Sequence, residues 1–189
     1  MRLRAATALL AVGLLVGGWS ILTYNHLVQA RLAVDAQWAQ VETQYQRRVD
    51  LVPNLTAAVQ GILAQERTVF RELATARTAY LTAPPGSPGR VRAANDLEQS
   101  LGRLLAVVEA YPQLRSADVI ARLIDELAGT ENRIAVERRR YNERVRMYDT
   151  LILQFPGSLV ASAGGFVPRP YFSAVPPAGA PPAVTLPGR

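Results

Sequence analysis

The chain contains no cysteine and no lysine, and its only histidine is His26. The lack of cysteine excludes disulfides, thiolate metal sites and cysteine nucleophiles. The lack of lysine excludes a P-loop lysine and a Schiff base. One histidine cannot supply the two Glu-x-x-His pairs of a di-iron bundle, and a Ser-His-Asp triad would have to use His26 at the end of an apolar segment. We therefore predict that the chain is not an enzyme and uses no cofactor or metal.

The net charge of +6 raises the question of nucleic-acid binding. The basic run Arg138–Arg140 is accompanied by Glu131, Glu137 and Glu143 along the same predicted helix. Mixed signs are typical of a solvated helix face, whereas phosphate neutralisation needs a concentrated basic surface. We expect no nucleic-acid binding.

Residues 5–22 carry no charge and, at about 1.5 Å per helical residue, just reach across the hydrocarbon core of a bilayer. Arg2 and Arg4 precede this run, and Trp19 and Tyr24 stand where interfacial aromatic residues are expected. We therefore predict a single-pass anchor over residues 1–23 in the inner (cell) membrane. Arginine flanks are retained in the cytoplasm, which places Arg2 and Arg4 on the cytoplasmic side. The following domain is then extracytoplasmic.

A cleaved signal peptide is the alternative, with Gly17 and Gly18 as a cleavage site. Helical periodicity resumes at once from Tyr24, which leaves no extended site for a peptidase and favours the anchor. Gly13 and Gly17 form a G-x-x-x-G pair, so a second copy of the chain is a candidate partner, although packing filler is the simpler explanation.

The longest predicted helix covers residues 116–155, because an apolar residue recurs there at every seventh position. This row consists of Ile120, Leu127, Ile134, Tyr141, Tyr148 and Phe155. A second row, four residues further on, includes Ile124, Val145 and Ile152, but Glu131 and Arg138 interrupt it. A buried ionised side chain needs a partner, so a buried polar layer is expected at this level.

The predicted layer comprises Glu131, Asn132, Arg138, Tyr141 and Asn142. Its candidate partners on the first amphipathic helix are Arg47, Arg48 and Asp50. A hydrogen-bonded network that sets the helix register is the simpler interpretation. The alternative is a groove for a partner protein or a lipid headgroup, which requires that these side chains are partly exposed.

The first amphipathic helix is predicted from Tyr24 to Val52, where Pro53 interrupts the pattern. Proline disfavours helical angles in the preceding residue but is tolerated as a first helical residue, so LVPNL predicts a tight αα-hairpin. A kinked continuous helix is the competing geometry. Further helices are predicted over residues 55–80 and 90–111, separated by the non-helical residues 83–89, and Ser116 is the predicted N-cap of the last helix.

After Phe155, prolines and glycines break an apolar segment. Residues 156–172 are therefore predicted to be an extended arm that docks on the bundle or on a partner. Residues 173–189 contain five prolines and no acidic residue, which predicts a disordered tail.

Several separated motifs occur in a fixed order. They are YNHLVQAR (24–31), the stretch from Trp38 through QVETQYQRRVDLVPNL, GTENRIAVERRRYNERVRMYDT (129–150), FPGSLVA and GFVPRPYF. Together they resemble the LemA family of bacterial membrane proteins. The resemblance implies one membrane span, an antiparallel up-and-down four-helix bundle and no enzyme activity. The matching signature positions, none of them catalytic, are Asp50, Pro53, Asn54, Glu131, Asn132, Arg138, Tyr141 and Asn142.

These observations predict an anchor (1–23), a LemA-like helical bundle (24–155), a docking arm (156–172) and a Pro-rich tail (173–189). The predicted function is that of an envelope scaffold or protein-interaction module, with the bilayer and an unidentified protein as partners. The alternative is an accessory or regulatory subunit of a membrane protease or transporter.

Overall fold

The computed structural model describes residues 2–60, 65–111 and 117–172. Within these ranges the chain forms five helices and no strand, which confirms the predicted all-α class. The helices are α1 (Arg2–Gln60), α2 (Arg67–Thr82), α3 (Pro88–Glu109), α4 (Asp118–Leu153) and α5 (Gly157–Ala163). The predicted N-cap at Ser116 and the predicted disorder of residues 173–189 lie outside the described residues.

The chain divides into two compact units, and α1 and α4 supply residues to both. Among the described residues, the first unit contains those up to Glu42 together with Val136–Tyr171, and the second contains those of Thr43–Ala135 together with Phe172. The main buried side chains of the first unit are Leu27, Val34, Trp38, Val41, Tyr141, Val145, Tyr148, Ile152 and Phe166. Those of the second unit include Tyr45, Val49, Leu55, Leu73, Tyr80, Leu97, Leu101, Leu104, Leu127 and Ile134.

The apolar row predicted for the last helix is buried from Ile120 to Tyr148. The prediction was wrong for its last member, because Phe155 is 79% exposed. α4 ends at Leu153 and proline follows Phe155, so Phe155 no longer shares the buried helix face. At the start of the predicted α1 face, Tyr24 is likewise exposed.

The predicted αα-hairpin at Pro53 is wrong, because α1 continues through this residue to Gln60. The competing prediction of a continuous helix is the one that the structure adopts. Proline has no N–H, so it cannot bond the carbonyl four residues earlier, which belongs to the buried Val49. The Arg77 Nε–H from α2 donates to that carbonyl at 3.3 Å instead. A side chain distant in sequence thus satisfies the group that proline leaves open.

The next helix, α2, begins at Arg67, later than the predicted residue 55. Leu55 and Val59 belong to α1, whereas Leu73 and Tyr80 belong to α2, so they do not form one helix face.

We expect Arg77→Ala to lower the free energy of unfolding by about 1–2 kcal/mol, since it leaves the buried Val49 carbonyl unsatisfied. Chemical denaturation measures this loss. In a Pro53→Ala background the same substitution should cost less, because residue 53 then has an N–H for that carbonyl. Equal costs in the two backgrounds would contradict the compensating role of Arg77.

The connection between α2 and α3 is shorter than predicted, because Pro88 and Gly89 are already helical. The Ser87 hydroxyl accepts a hydrogen bond from the Arg90 N–H at 3.0 Å, and proline is well suited to the first helical position. The buried Arg90 guanidinium donates to the carbonyls of Tyr80 and Ala83 and lies 3.9 Å from the Tyr80 ring centroid. Arg90 therefore provides hydrogen-bond donors for carbonyl groups at the end of α2 and holds the start of α3 against that end.

The segment predicted to be an extended arm is helical in its first half, where α5 forms, and the prediction was wrong there. The Ser158 N–H donates to the Gln154 carbonyl at 2.9 Å, which continues helical turns across the end of α4. α5 then ends where Gly165 adopts φ +69°, a left-handed conformation that glycine reaches without steric cost. The Phe166 N–H donates back to the Ala161 carbonyl at 3.0 Å and closes the helix end.

Candidate functional site

The N-terminal part of α1 presents a surface of unpacked apolar side chains. Leu9, Leu10, Leu14, Leu15 and Leu22 are each at least 67% exposed, and α1 is long and apolar enough to cross a membrane. Removing apolar surface from water is favourable by about 25 cal/mol for each Å². Side chains that stay exposed to water do not gain this free energy, whereas lipid tails around them would supply it. This part of α1 is therefore a candidate membrane span.

Immediately beyond the candidate span, the segment that follows α5 lies along α1 and α4 of the first unit. We call residues 166–171 the strap. The Phe166 ring meets the Tyr24 ring edge-on with centroids 5.5 Å apart, and the Arg31 guanidinium lies 5.8 Å from the Phe166 centroid. Further along the strap, Arg169 Nη2 donates to Asp35 Oδ1 at 2.8 Å. The strap therefore runs in the same direction as α1.

Polar groups of α4 hold the other side of the strap. The Tyr148 hydroxyl donates to the Val167 carbonyl and the Tyr141 hydroxyl donates to the Pro170 carbonyl, each at 3.1 Å. The Arg169 N–H donates to Asp149 Oδ1 at 3.2 Å. The hydroxyl contact of Val167 comes from Tyr148, whereas that of Pro170 comes from Tyr141, one heptad earlier in α4. The strap and α4 therefore run in opposite directions. Within the first unit, α1 and α4 are therefore antiparallel.

Burial changes the acid–base behaviour of the tyrosines around the strap. Burial raises the pKa of Tyr141 to about 12, because its phenolate would lose hydration, while the nearby Arg169 partly opposes the rise. Burial also raises the pKa of Tyr148 and of Tyr171, and for Tyr171 the neighbouring Asp149 adds to the rise. Tyr141 and Tyr148 therefore remain neutral hydrogen-bond donors at physiological pH.

A second polar cluster is buried in the second unit around Arg48, which is 3% exposed. Its Nε–H donates to Thr130 Oγ1 at 3.1 Å, and its Nη1 lies 3.8 Å from Glu98 Oε1. The Tyr45 hydroxyl donates to the same Glu98 oxygen at 2.6 Å. We call Tyr45, Arg48, Glu98 and Thr130 the buried polar cluster. It joins α1, α3 and α4 through charge-assisted hydrogen bonding.

The chain is similar in sequence to a known protein family and to named bacterial proteins. The model of the LemA family matches residues 37–186. The chain belongs to the LemA family. The match begins after the YNHLVQAR motif and includes most of the Pro-rich end, which the motifs do not cover.

Relatives of this LemA protein include magnetosome proteins. Magnetosome protein MamQ 2 of Paramagnetospirillum magneticum is 28% identical over 190 residues, which cover 87% of this chain and 70% of that protein. Magnetosome protein MamQ of Magnetospirillum gryphiswaldense is 27% identical over the same shares of the two chains. The similarity thus extends over most of this LemA protein and most of each relative.

The LemA signature residues separate into exposed and buried groups. The exposed residues are Asp50, Pro53, Asn54, Glu131 and Asn132. Arg138 and Asn142 are half-buried, while Tyr141 and the predicted partner Arg48 are buried. Of these candidates, Arg48 lies in the buried polar cluster and Tyr141 donates to the strap. The role of the signature residues as an interaction site stays a prediction.

The prediction that Glu131 lies in a buried layer is wrong, and Thr130 occupies the inward position instead. Residues three and four positions after Leu127 both flank the buried row, so the sequence pattern leaves the choice between them open. Thr130 satisfies its own hydroxyl by donating to the Leu127 carbonyl at 2.7 Å, which an ionised carboxylate could not do. Asp50, another predicted partner, is exposed and accepts a hydrogen bond from Gln46.

The sequence pattern did not indicate Glu98 and Thr130 as members of the buried polar cluster. The available signal was that Arg48 and Glu98 have opposite charges and directly adjoin the buried residues Val49 and Leu97. Among the described residues, no three His, Asp or Glu side chains are grouped to hold a metal ion. The chemistry that these clusters offer is hydrogen bonding and ion pairing.

Proposed function

We propose that this LemA protein is a single-pass membrane protein whose helical body acts as a scaffold or protein-interaction module at the bacterial envelope. One observation carries the proposal. α1 continues without interruption from the exposed apolar residues after Leu9 into the packed residues Leu27, Val34 and Trp38. Because one uninterrupted helix contains both segments, the packed residues are held at a fixed distance from the proposed span.

We further propose the inner membrane as the location, with the body outside the cytoplasm and folded as an antiparallel four-helix bundle. Arg2 and Arg4 support this orientation through the positive-inside rule. The antiparallel pairing of α1 with α4 in the first unit agrees with such a bundle. Relatives that are named magnetosome proteins favour a role in membrane organisation.

The exposed signature residues are the proposed contact surface for a protein partner, because their exposure gives them no part in packing. Single-cysteine variants test this cleanly, since the natural chain has no cysteine. Asn54→Cys and Asn132→Cys should crosslink to a distinct protein in native membranes. The exposed positions Ala57 and Ala128, which lie outside the motifs on the same helices, provide the matched controls.

A protein captured from both signature positions and from neither control would support the interaction module. Equal capture from all four positions, or contact with lipid alone, would contradict it. If the protein were instead an accessory subunit of a membrane protease, its deletion should change the turnover of envelope proteins. A scaffold leaves those turnover rates unchanged.

A further inference from the structure

We propose that the corner between α4 and α5 inserts shallowly into the bilayer beside the membrane span and forms a second membrane contact. We call residues 150–168, which run from the last turn of α4 through α5 to the first residues of the strap, the apolar corner. Leu153, Phe155 and Leu159 are 66%, 79% and 60% exposed, and all three belong to the first unit. Such a cluster of large exposed apolar side chains marks an interaction surface, whereas single exposed ones are ordinary.

The apolar corner contains no ionisable side chain, because the nearest are Asp149 before it and Arg169 after it. These two residues are joined through the hydrogen bond from the Arg169 N–H to Asp149 Oδ1. By contrast, the exposed face of α4 before Asp149 carries Arg139, Arg140, Glu143, Arg144 and Arg146. The solvated face and the charge-free corner thus meet at a sharp boundary, as expected for a surface that enters the polar interface of a bilayer.

The strap contacts show that the apolar corner and the end of the candidate span lie at the same level. Phe166, within the corner, packs on Tyr24, which is two residues after the exposed Leu22. The Tyr148 hydroxyl donates to the adjacent Val167 carbonyl. Since α1 and α4 are antiparallel here, α4 advances from Tyr148 to Leu153 by about 7.5 Å toward the span.

The bilayer is the occupant that this geometry favours, because the Phe166–Tyr24 contact places the apolar corner beside the end of the proposed membrane span. Trp19 and Tyr24 are aromatic residues of the kind found at the membrane interface, and they lie at this end of the span. The side chains of the corner itself carry no ionised group whose desolvation would oppose insertion. The Arg31 guanidinium beside Phe166 belongs to α1, nine residues beyond Leu22. The inference rests on the proposed membrane span.

The test uses the full-length chain reconstituted into phosphatidylcholine vesicles that contain nitroxide-labelled lipids. Single cysteines at Leu153 and, in a separate variant, at Leu159 carry a fluorophore, so each variant keeps two of the three apolar side chains. We expect lipid nitroxides to quench both labels. Leu14→Cys reports on the span, and Val136→Cys is the matched control, because Val136 is 40% exposed and about 26 Å from Leu153 along α4.

Quenching at positions 14, 153 and 159, with little at 136, supports the second membrane contact. Quenching at position 14 without quenching at 153 and 159 overturns this inference and leaves the proposed span intact. Labels at 153 and 159 that are shielded from both water and lipid also overturn it, since protein and not the bilayer then covers the corner. The absence of quenching at position 14 refutes the span and, with it, the inference. Circular dichroism establishes that each variant retains its helix content.

Discussion

Replacing Arg48 with leucine should lower the free energy of unfolding by about 3–5 kcal/mol, because it leaves Glu98 in a largely buried position without its cation. Glu98 accepts a hydrogen bond from Tyr45, and its side chain is 14% exposed, so water replaces the guanidinium poorly. Thr130 also loses the donor at its hydroxyl. Urea denaturation in detergent micelles measures the effect as a lower transition midpoint.

The neighbouring Arg47 provides a matched control. Its ion pair with Glu126 is shorter, at 2.9 Å, but the two side chains are 50% and 42% exposed. Arg47→Leu should therefore cost less than about 1 kcal/mol, since solvent screens exposed pairs. The double variant Arg48→Leu with Glu98→Leu should recover much of the lost stability, because no charge remains buried. A similar cost for Arg47→Leu and Arg48→Leu would contradict the importance of burial.

Stability should fall as the pH rises from about 10 to about 12, by roughly 2–3 kcal/mol for Tyr141 alone. The pKa of Tyr141 is raised to about 12 in the folded protein, against about 10 when the chain is unfolded. Between these values the unfolded state loses the phenol proton and the folded state keeps it, which favours unfolding. The contribution of Tyr141 to the free energy of unfolding is fully present below about pH 10 and is lost as the pH rises through the pKa of the folded state.

The alkaline decline can be measured without interference from lysine or cysteine, because the chain contains neither. Tyrosines are therefore the side chains that titrate in this range, as arginine keeps its proton. Tyr141→Phe should cost about 1 kcal/mol at neutral pH, through the lost hydrogen bond to Pro170, and should flatten the alkaline decline. Tyr24→Phe is the control, since Tyr24 is 46% exposed. An alkaline decline that is unchanged in Tyr141→Phe would refute the assignment.

The sequence predicted the helical class and much of the buried surface because helix periodicity is a local property. Ile120, Leu127, Ile134, Tyr141 and Tyr148 are buried as their seven-residue spacing required. The spacing could not reveal where α4 ends, so Phe155 was assigned to the buried row although it is exposed. That residue now belongs to the apolar corner.

The error at Pro53 has a different origin. Local rules correctly state that proline leaves a carbonyl without a partner, but they do not say whether another side chain can serve it. Arg77 does so from a separate helix, 28 residues away from Val49 in the sequence. Only a folded chain brings the two groups together.

The amino-acid sequence by itself determined the all-α class, the apolar N-terminal segment and the LemA membership, because each depends on residue type and spacing. Tertiary structure decided that α1 continues through Pro53, that Thr130 and not Glu131 faces inward, and that the strap joins α1 to α4. These outcomes depend on which groups meet across the fold. Burial makes an unpaired polar group costly, so the contacts available in three dimensions select among locally equivalent choices.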